Sequence, residues 1–318
     1  MNLPLKCAAI ALLFFSAAGA NQPPAEATKP TLDDYYQAGQ ALFDAFAPPE
    51  IKEQFEFPTP QQWMEFATRL QNALQGDSLE ELIVYEYEAR AALIALRAMS
   101  GYEDYAEWLE ERLDYIEAAK QIEPAPRALP DPRLASTTPK KQFTEEIPHL
   151  QLWRDRMHAR AVPSGAAKLV PKLRSIFAEE GIPPDLVWLA EAESSFNPKA
   201  RSPVGARGLF QFMPATAKEM GLRTFLPDER ENPVKSARAA ARYLRQLYQR
   251  FDSWPLALAA YNAGGGRVNR TLNNNRATTF AEISDALPAE TRMYVPKVLA
   301  TMEARAGTNW VKLAAPRK

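Results

Sequence analysis

The stretch Glu193-Ser-Ser-Phe-Asn-Pro-Lys-Ala-Arg-Ser-Pro-Val-Gly-Ala-Arg-Gly-Leu-Phe-Gln-Phe-Met-Pro-Ala-Thr-Ala217 decides how this chain reads. It sets one carboxylate at the end of an apolar segment. Behind that carboxylate runs a loop with glycines at 205 and 208 and a polar Gln211 among large apolar residues. Upstream, Pro184-Asp185 opens a helix, proline being suited to the first turn. Residues 186 to 190 are all apolar, so that helix should be buried on most sides. Asn197-Pro198 ends it. The arrangement suits a proton donor that faces an extended polymer.

Two effects should raise the carboxyl pKa of Glu193. Burial against Trp188, Leu189 and Phe196 disfavours the charged form. The negative end of the helix dipole does the same. A glutamic acid that keeps its proton near neutral pH can protonate a glycosidic oxygen, and its conjugate base can take a proton in the next step. Glu191 is the rival. It lies two positions away, points to nearly the opposite side of a helix, and cannot face the same groove. A glutamate near a helix end is, taken alone, an ordinary surface residue; the residues around it change that reading.

The 318 residues suggest one to three domains, at about 150 residues each. Residues 1 to 20 read as a secretory signal, with Lys6, a short apolar run and an Ala18-Gly19-Ala20 cleavage site. That run is shorter than the ~20 residues a membrane span needs. Cys7, the one cysteine, would leave with the signal, so no internal disulfide or cysteine metal site is expected. Residues 21 to 122 read as a helical domain of unassigned role. Tyr105, Trp108, Leu109, Leu113 and Ile116 recur at helical spacing there and read as core rather than as a sugar-stacking face. No catalytic constellation is seen in this half. A proline-rich linker follows over 123 to 144. Residues 145 to 318 form a second, again mainly helical, unit.

The net charge of -1 hides an asymmetry. Residues 165–318 carry 23 Lys+Arg against 14 Asp+Glu, a net of +9. Residues 21–164 carry 14 against 25, a net of -11. A basic half suggests an anionic ligand, and export argues against nucleic acid. The competing account is solvated helix faces.

Four blocks carry a family resemblance. Glu193-Ser-Ser-Phe-Asn-Pro-Lys-Ala200 is followed by Ser202 to Ala217, in which Phe210 and Phe212 stand where Met and Leu or Ile are common. Then come Ala259-Ala-Tyr-Asn-Ala-Gly264 and Pro288-Ala-Glu-Thr-Arg-Met-Tyr-Val295. In this order they resemble the soluble lytic transglycosylase family over about residues 145 to 305. The lead-in from His149 is most similar to the membrane-bound lytic murein transglycosylase D type. No LysM-type repeat is read after the catalytic region, so wall targeting is expected from elsewhere.

The resemblance implies a mainly α fold, with a lysozyme-like catalytic domain preceded by a helical N-terminal domain. It implies that Glu193 is the single acid/base in cleaving the β-1,4 bond between N-acetylmuramic acid and N-acetylglucosamine. The muramic 6-hydroxyl then closes on C1 to give a 1,6-anhydro end, and no water is consumed. An ordinary glycosidase needs a second carboxylate; this reaction does not. Ser194, Ser202, Gly208, Gln211, Met213, Tyr261, Asn262, Glu290 and Tyr294 are the expected substrate-side residues. Ser202 and Gln211 would bond sugar groups, Gly208 would let the backbone approach the glycan, and Met213 would pack on a sugar face. Tyr261 and Asn262 would hold Glu193 or a sugar, and Tyr294 would set its hydroxyl near Glu193; core packing is the other account of both tyrosines. Glu290 is expected to anchor a loop through backbone amides; were it to act in the cleft, a hydrolytic muramidase would be the alternative. A non-catalytic peptidoglycan-binding scaffold is the other.

No cofactor is implied, and the two histidines, His149 and His158, lack metal-ligand spacing. Ser194 and Ser195 lack a Gly-x-Ser-x-Gly context. The expected partners are peptidoglycan strands and, through residues 21 to 122, a protein partner, with no nucleic acid and no membrane span after signal cleavage. The expected location is exported: the periplasm, at the cell wall or envelope.

Overall fold

The computed structural model describes residues 60–98, 101–122 and 145–317. The signal at 1–20 and the linker at 123–144 lie outside them. Among the described residues the chain is helical, with no strand and two isolated β-bridges, Arg201 to Arg207 and Arg207 to Phe212.

Four helices come first: α1 (Pro60–Gln75), α2 (Leu79–Ile83), α3 (Glu86–Ala98) and α4 (Glu103–Lys120). Ser78 caps α2, its hydroxyl accepting from Glu81 N, and the helical run breaks between α2 and α3. Trp108, Leu109, Leu113 and Ile116 of α4 are buried, which settles them as core. Trp63 meets Trp108 edge-on, with ring centroids 6.2 Å apart. Such pairs add about 0.5–1.5 kcal/mol beyond burial.

The C-terminal part runs α5 (Leu150–Ala159), α6 (Ala166–Glu179), α7 (Leu189–Ser194), α8 (Pro214–Glu219), α9 (Pro233–Phe251), α10 (Trp254–Ala263), α11 (Gly265–Asn275), α12 (Phe280–Ile283) and α13 (Ala289–Ala306). The expected single helix from Pro184 is a 3-10 turn, Pro184–Trp188, leading into α7. Asn232 caps α9 by accepting from Val234 N and Lys235 N. Gly264, with φ of 86°, ends α10. Gly265, however, at once starts α11.

At the centre lies α13, buried along most of its length. Its Lys297 is 1% exposed and carries a charge that must be matched. The ammonium meets Glu111 Oε2 at 2.6 Å and Asp114 Oδ2 at 2.8 Å, both from α4. Arg160 binds the same two carboxylates at 2.7 and 3.1 Å, and Arg156 binds Asp114 as well. Burial alone would raise the Asp114 carboxyl, but Lys297 and Arg156 outweigh it and hold it at about 2. Ser195, just after α7, donates to Glu111 Oε1 at 2.9 Å. One ionic cluster thus ties α4, α13 and the turn behind Glu193 together. Backbone contacts reinforce it, with Ala289 N donating to Gly76 O at 2.7 Å.

Candidate active site

The turn after α7 is set by backbone conformation. Ser195 and Phe196 both have positive φ, 48° and 61°. Left-handed conformations at two non-glycine residues cost energy, about 1–3 kcal/mol each, unless their surroundings fix them. Here the Phe196 ring is buried and meets Trp188 edge-on at 5.4 Å, and Ser195 is held by Glu111. The bend ends α7 directly behind Glu193.

Glu193 lines a cavity of about 330 Å³ together with Gln211, Met213, Tyr261, Asn262 and Glu290. Its Oε1 accepts from the Tyr294 hydroxyl at 2.6 Å. Burial raises the Glu193 carboxyl to about 7. Glu290 and Glu111 push in the same direction, while the Tyr294 hydroxyl and Arg112 oppose it. The group is therefore poised between acid and base near neutral pH, which suits proton transfer in both directions. Glu191 is 1% exposed and bound by Arg305 through two bonds, at 3.0 and 2.8 Å. The neighbouring carboxylates thus divide, one neutralised in the core and the other at the cavity.

Other expected residues take varied positions. The Ser194 hydroxyl donates to Leu209 O at 2.9 Å, fastening the following loop to α7, and Ser194 does not line the cavity. Ser202 lines it, but its hydroxyl accepts from Ala206 N at 2.9 Å within its own turn. The close approach at Gly208 is to protein, not to the cavity. Its φ is +78° and a Cβ there would lie 1.9 Å from Arg230 O. Gln211 spends its amide nitrogen on Gly208 O at 2.9 Å and Ala200 O at 3.3 Å. Met213 is 44% exposed on the wall. Tyr261 does not hold Glu193; its hydroxyl donates to Phe210 O at 2.9 Å. Asn262 Oδ1 accepts from the Thr291 hydroxyl at 2.6 Å.

Glu290 is anchored, though not by backbone amides as its sequence context suggested. Gln71 and Gln75 of α1 donate to its Oε2 at 3.2 and 3.0 Å, and Arg112 of α4 reaches its Oε1 at 3.4 Å. All three lie in the half in which no catalytic constellation was legible, and all three line the cavity. The Gln71-x-x-x-Gln75 spacing, one face of a helix, was the one sequence signal, and it is weak. No group of three or more His, Cys, Asp or Glu among the described residues is arranged to hold a metal.

Residues 176–284 match the family model "Transglycosylase SLT domain". The match takes in about a third of the chain. Glu193, the cavity loop and α10 fall within the match, whereas Glu290, Tyr294 and helices α1 to α4 fall outside it. The SLT region is similar to curated relatives. One is the membrane-bound lytic murein transglycosylase D of Escherichia coli K12, 40% identical over 128 residues, covering 38% of this chain and 28% of the relative. Another is the soluble lytic murein transglycosylase of Salmonella typhimurium, 41% identical over 120 residues, covering 35% and 19%. The chain thus spans less than a third of the length of these relatives. Among solved structures, the 70 kDa soluble lytic transglycosylase of Escherichia coli matches over 89% of this chain and 47% of its own, at 20% identity and a TM-score of 0.39.

Proposed function

We propose that this protein is a peptidoglycan lytic transglycosylase that cleaves the N-acetylmuramic acid–N-acetylglucosamine bond without water, with Glu193 as its single acid/base. The observation that carries the reading is the Glu193 carboxyl, raised to about 7, at a cavity lined in part by the segment that matches the transglycosylase SLT model. The protonated acid gives its proton to the glycosidic oxygen as the bond to C1 breaks. The resulting carboxylate takes the proton of the muramic 6-hydroxyl, whose oxygen bonds C1 and closes the anhydro ring. The proton returned to Glu193 restores the acid, so no second carboxylate is required.

Tyr294 positions the carboxylate by its 2.6 Å bond. Glu290 is committed to Gln71, Gln75 and Arg112, which favours cyclisation over a hydrolytic second carboxylate. We place the protein outside the cytoplasm, in the periplasm or at the envelope. Residues 1–20 support export, and no helix among the described residues is long and apolar enough to cross a membrane.

The test is mass spectrometry of purified peptidoglycan digested by the protein and by Glu193→Gln. Anhydromuramic ends from the first and none from the second are expected. Reducing muramic ends would replace this reading with a muramidase. Release by neither protein would favour a binding scaffold.

A further inference from the structure

Two residues beyond Glu193 the chain turns, and helix α4 holds that turn. Asp104, Glu107 and Glu111 of α4 follow one another at spacings of three and four residues, which sets them on one helix face. Ser195 donates to Glu111 Oε1 at 2.9 Å. The Asn197 side-chain amide donates to Glu107 Oε2 at 2.6 Å and to Asp104 Oδ1 at 3.3 Å. Arg201 lies 3.9 Å from Asp104 and, half exposed, adds little.

The held segment is the one whose backbone needs holding. Ser195 and Phe196 are left-handed, a conformation that persists only where the surroundings fix it. The residues on either side of Phe196 are each bonded to a charged acceptor, and such bonds are roughly twice as strong as neutral ones. The acceptors are themselves fixed. Glu111 is buried and bound by Lys297 and Arg160. Burial raises the Asp104 and Glu107 carboxyls, and the Asn197 bond is the largest influence opposing it in each. Asn197 is held at its other end too, its Oδ1 accepting from Lys199 N at 2.9 Å.

The turn is continuous with the helix that carries Glu193. Glu193 is the penultimate residue of α7, and Ser195 N and Phe196 N donate back to Glu191 O and Ala190 O at 3.0 and 3.2 Å. A shift of the turn therefore shifts the Glu193 backbone.

We propose that Asp104, Glu107 and Glu111 are positioning residues for Glu193: by gripping Ser195 and Asn197 they fix the backbone that sets its carboxyl at the cavity and against Tyr294. Helix α4 lies outside the SLT match, so the N-terminal helices act on the reaction itself. The inference deepens the glycan-cleaving reading of Glu193 and rests on it.

The experiment uses the full chain and two independent variants. Glu107→Leu removes the acceptor for Asn197, and Glu107→Gln restores an acceptor oxygen. Ser195→Gly removes the hydroxyl while still allowing a positive φ. Thermal melting shows which variants are folded at the assay temperature, and should one fail to fold the other carries the test. The first readout is kcat and KM for muropeptide release from soluble peptidoglycan strands. The second needs no turnover: the titration midpoint of the Glu193 carboxyl by carbon-13 NMR, its signal identified by its loss in Glu193→Gln.

Glu107→Leu and Ser195→Gly are expected to lower kcat by about tenfold with KM within about twofold. The Glu193 midpoint should fall from about 7 towards its ordinary 4.5 as the loosened turn admits water. Glu107→Gln should recover most of both losses. Folded variants that melt lower but keep the parent's kcat and midpoint would overturn the proposal, leaving α4 a structural support only. A raised KM at unchanged kcat would overturn it as well. A parent that releases no muropeptides would overturn the glycan-cleaving reading, and the positioning role would then stand or fall on the midpoint.

Discussion

The Tyr294 hydroxyl donates to Glu193 Oε1 at 2.6 Å, from a helix 101 residues further along the chain. That bond stabilises the carboxylate and so opposes the burial that raises the Glu193 carboxyl to about 7. Tyr294→Phe should therefore raise that carboxyl further. The basic limb of the kcat/KM profile, which reports the acid in the free enzyme, should move to higher pH. Loss of orientation should lower kcat/KM by about tenfold at its optimum. A pH–rate series on peptidoglycan checks both.

Glu193 should also mark stability. Its carboxyl is raised above its ordinary 4.5 in the folded protein, so the folded state holds that proton more tightly than the unfolded chain. Stability is then lost as pH climbs from about 4.5 through about 7. Glu193→Gln removes this dependence. The variant should melt above the wild type at pH 8 and close to it at pH 4, while catalysis falls by about 10²–10⁴. Thermal melts across that range provide the check.

Lys297 supports two buried carboxylates, at 2.6 and 2.8 Å. Lys297→Met leaves Glu111 and Asp114 with less compensation and should cost about 3–5 kcal/mol in denaturant unfolding at pH 7. Asp114, held at about 2 against an ordinary 3.8, contributes stability that is whole above about 3.8 and fades as pH falls towards 2. The wild type should therefore lose stability on acidification over this range, and the variant should lose less of it.

Gly208 cannot carry a side chain where it stands. A Cβ would meet Arg230 O at 1.9 Å with φ at +78°. Gly208→Ala should cost at least about 1–3 kcal/mol from backbone strain alone, read by chemical denaturation. The loop bearing Gln211 and Met213 should shift with it and weaken cleavage.

Local patterns in the sequence were enough to bring out the helical class and the Glu193 segment, because burial, capping and turn chemistry are written in neighbouring residues. Pro184 and the run at 186–190 show this directly. Contacts between distant segments were not legible. Nothing near Glu111 and Asp114 in the sequence marks their partner Lys297, which lies more than 180 residues away. Gln71 and Arg112 meet Glu290 across similar separations. Gly208 shows the same limit at close range, since a close backbone approach was expected toward the glycan and is instead to Arg230 O.

The central claim is cleavage without water by a single carboxylic acid. Digestion of purified peptidoglycan in water enriched in heavy oxygen tests it most directly, with mass spectrometry of the released muropeptides. The account predicts anhydromuramic ends with no heavy oxygen incorporated, and no release by Glu193→Gln. Muramic ends that carry heavy oxygen from the solvent would contradict it.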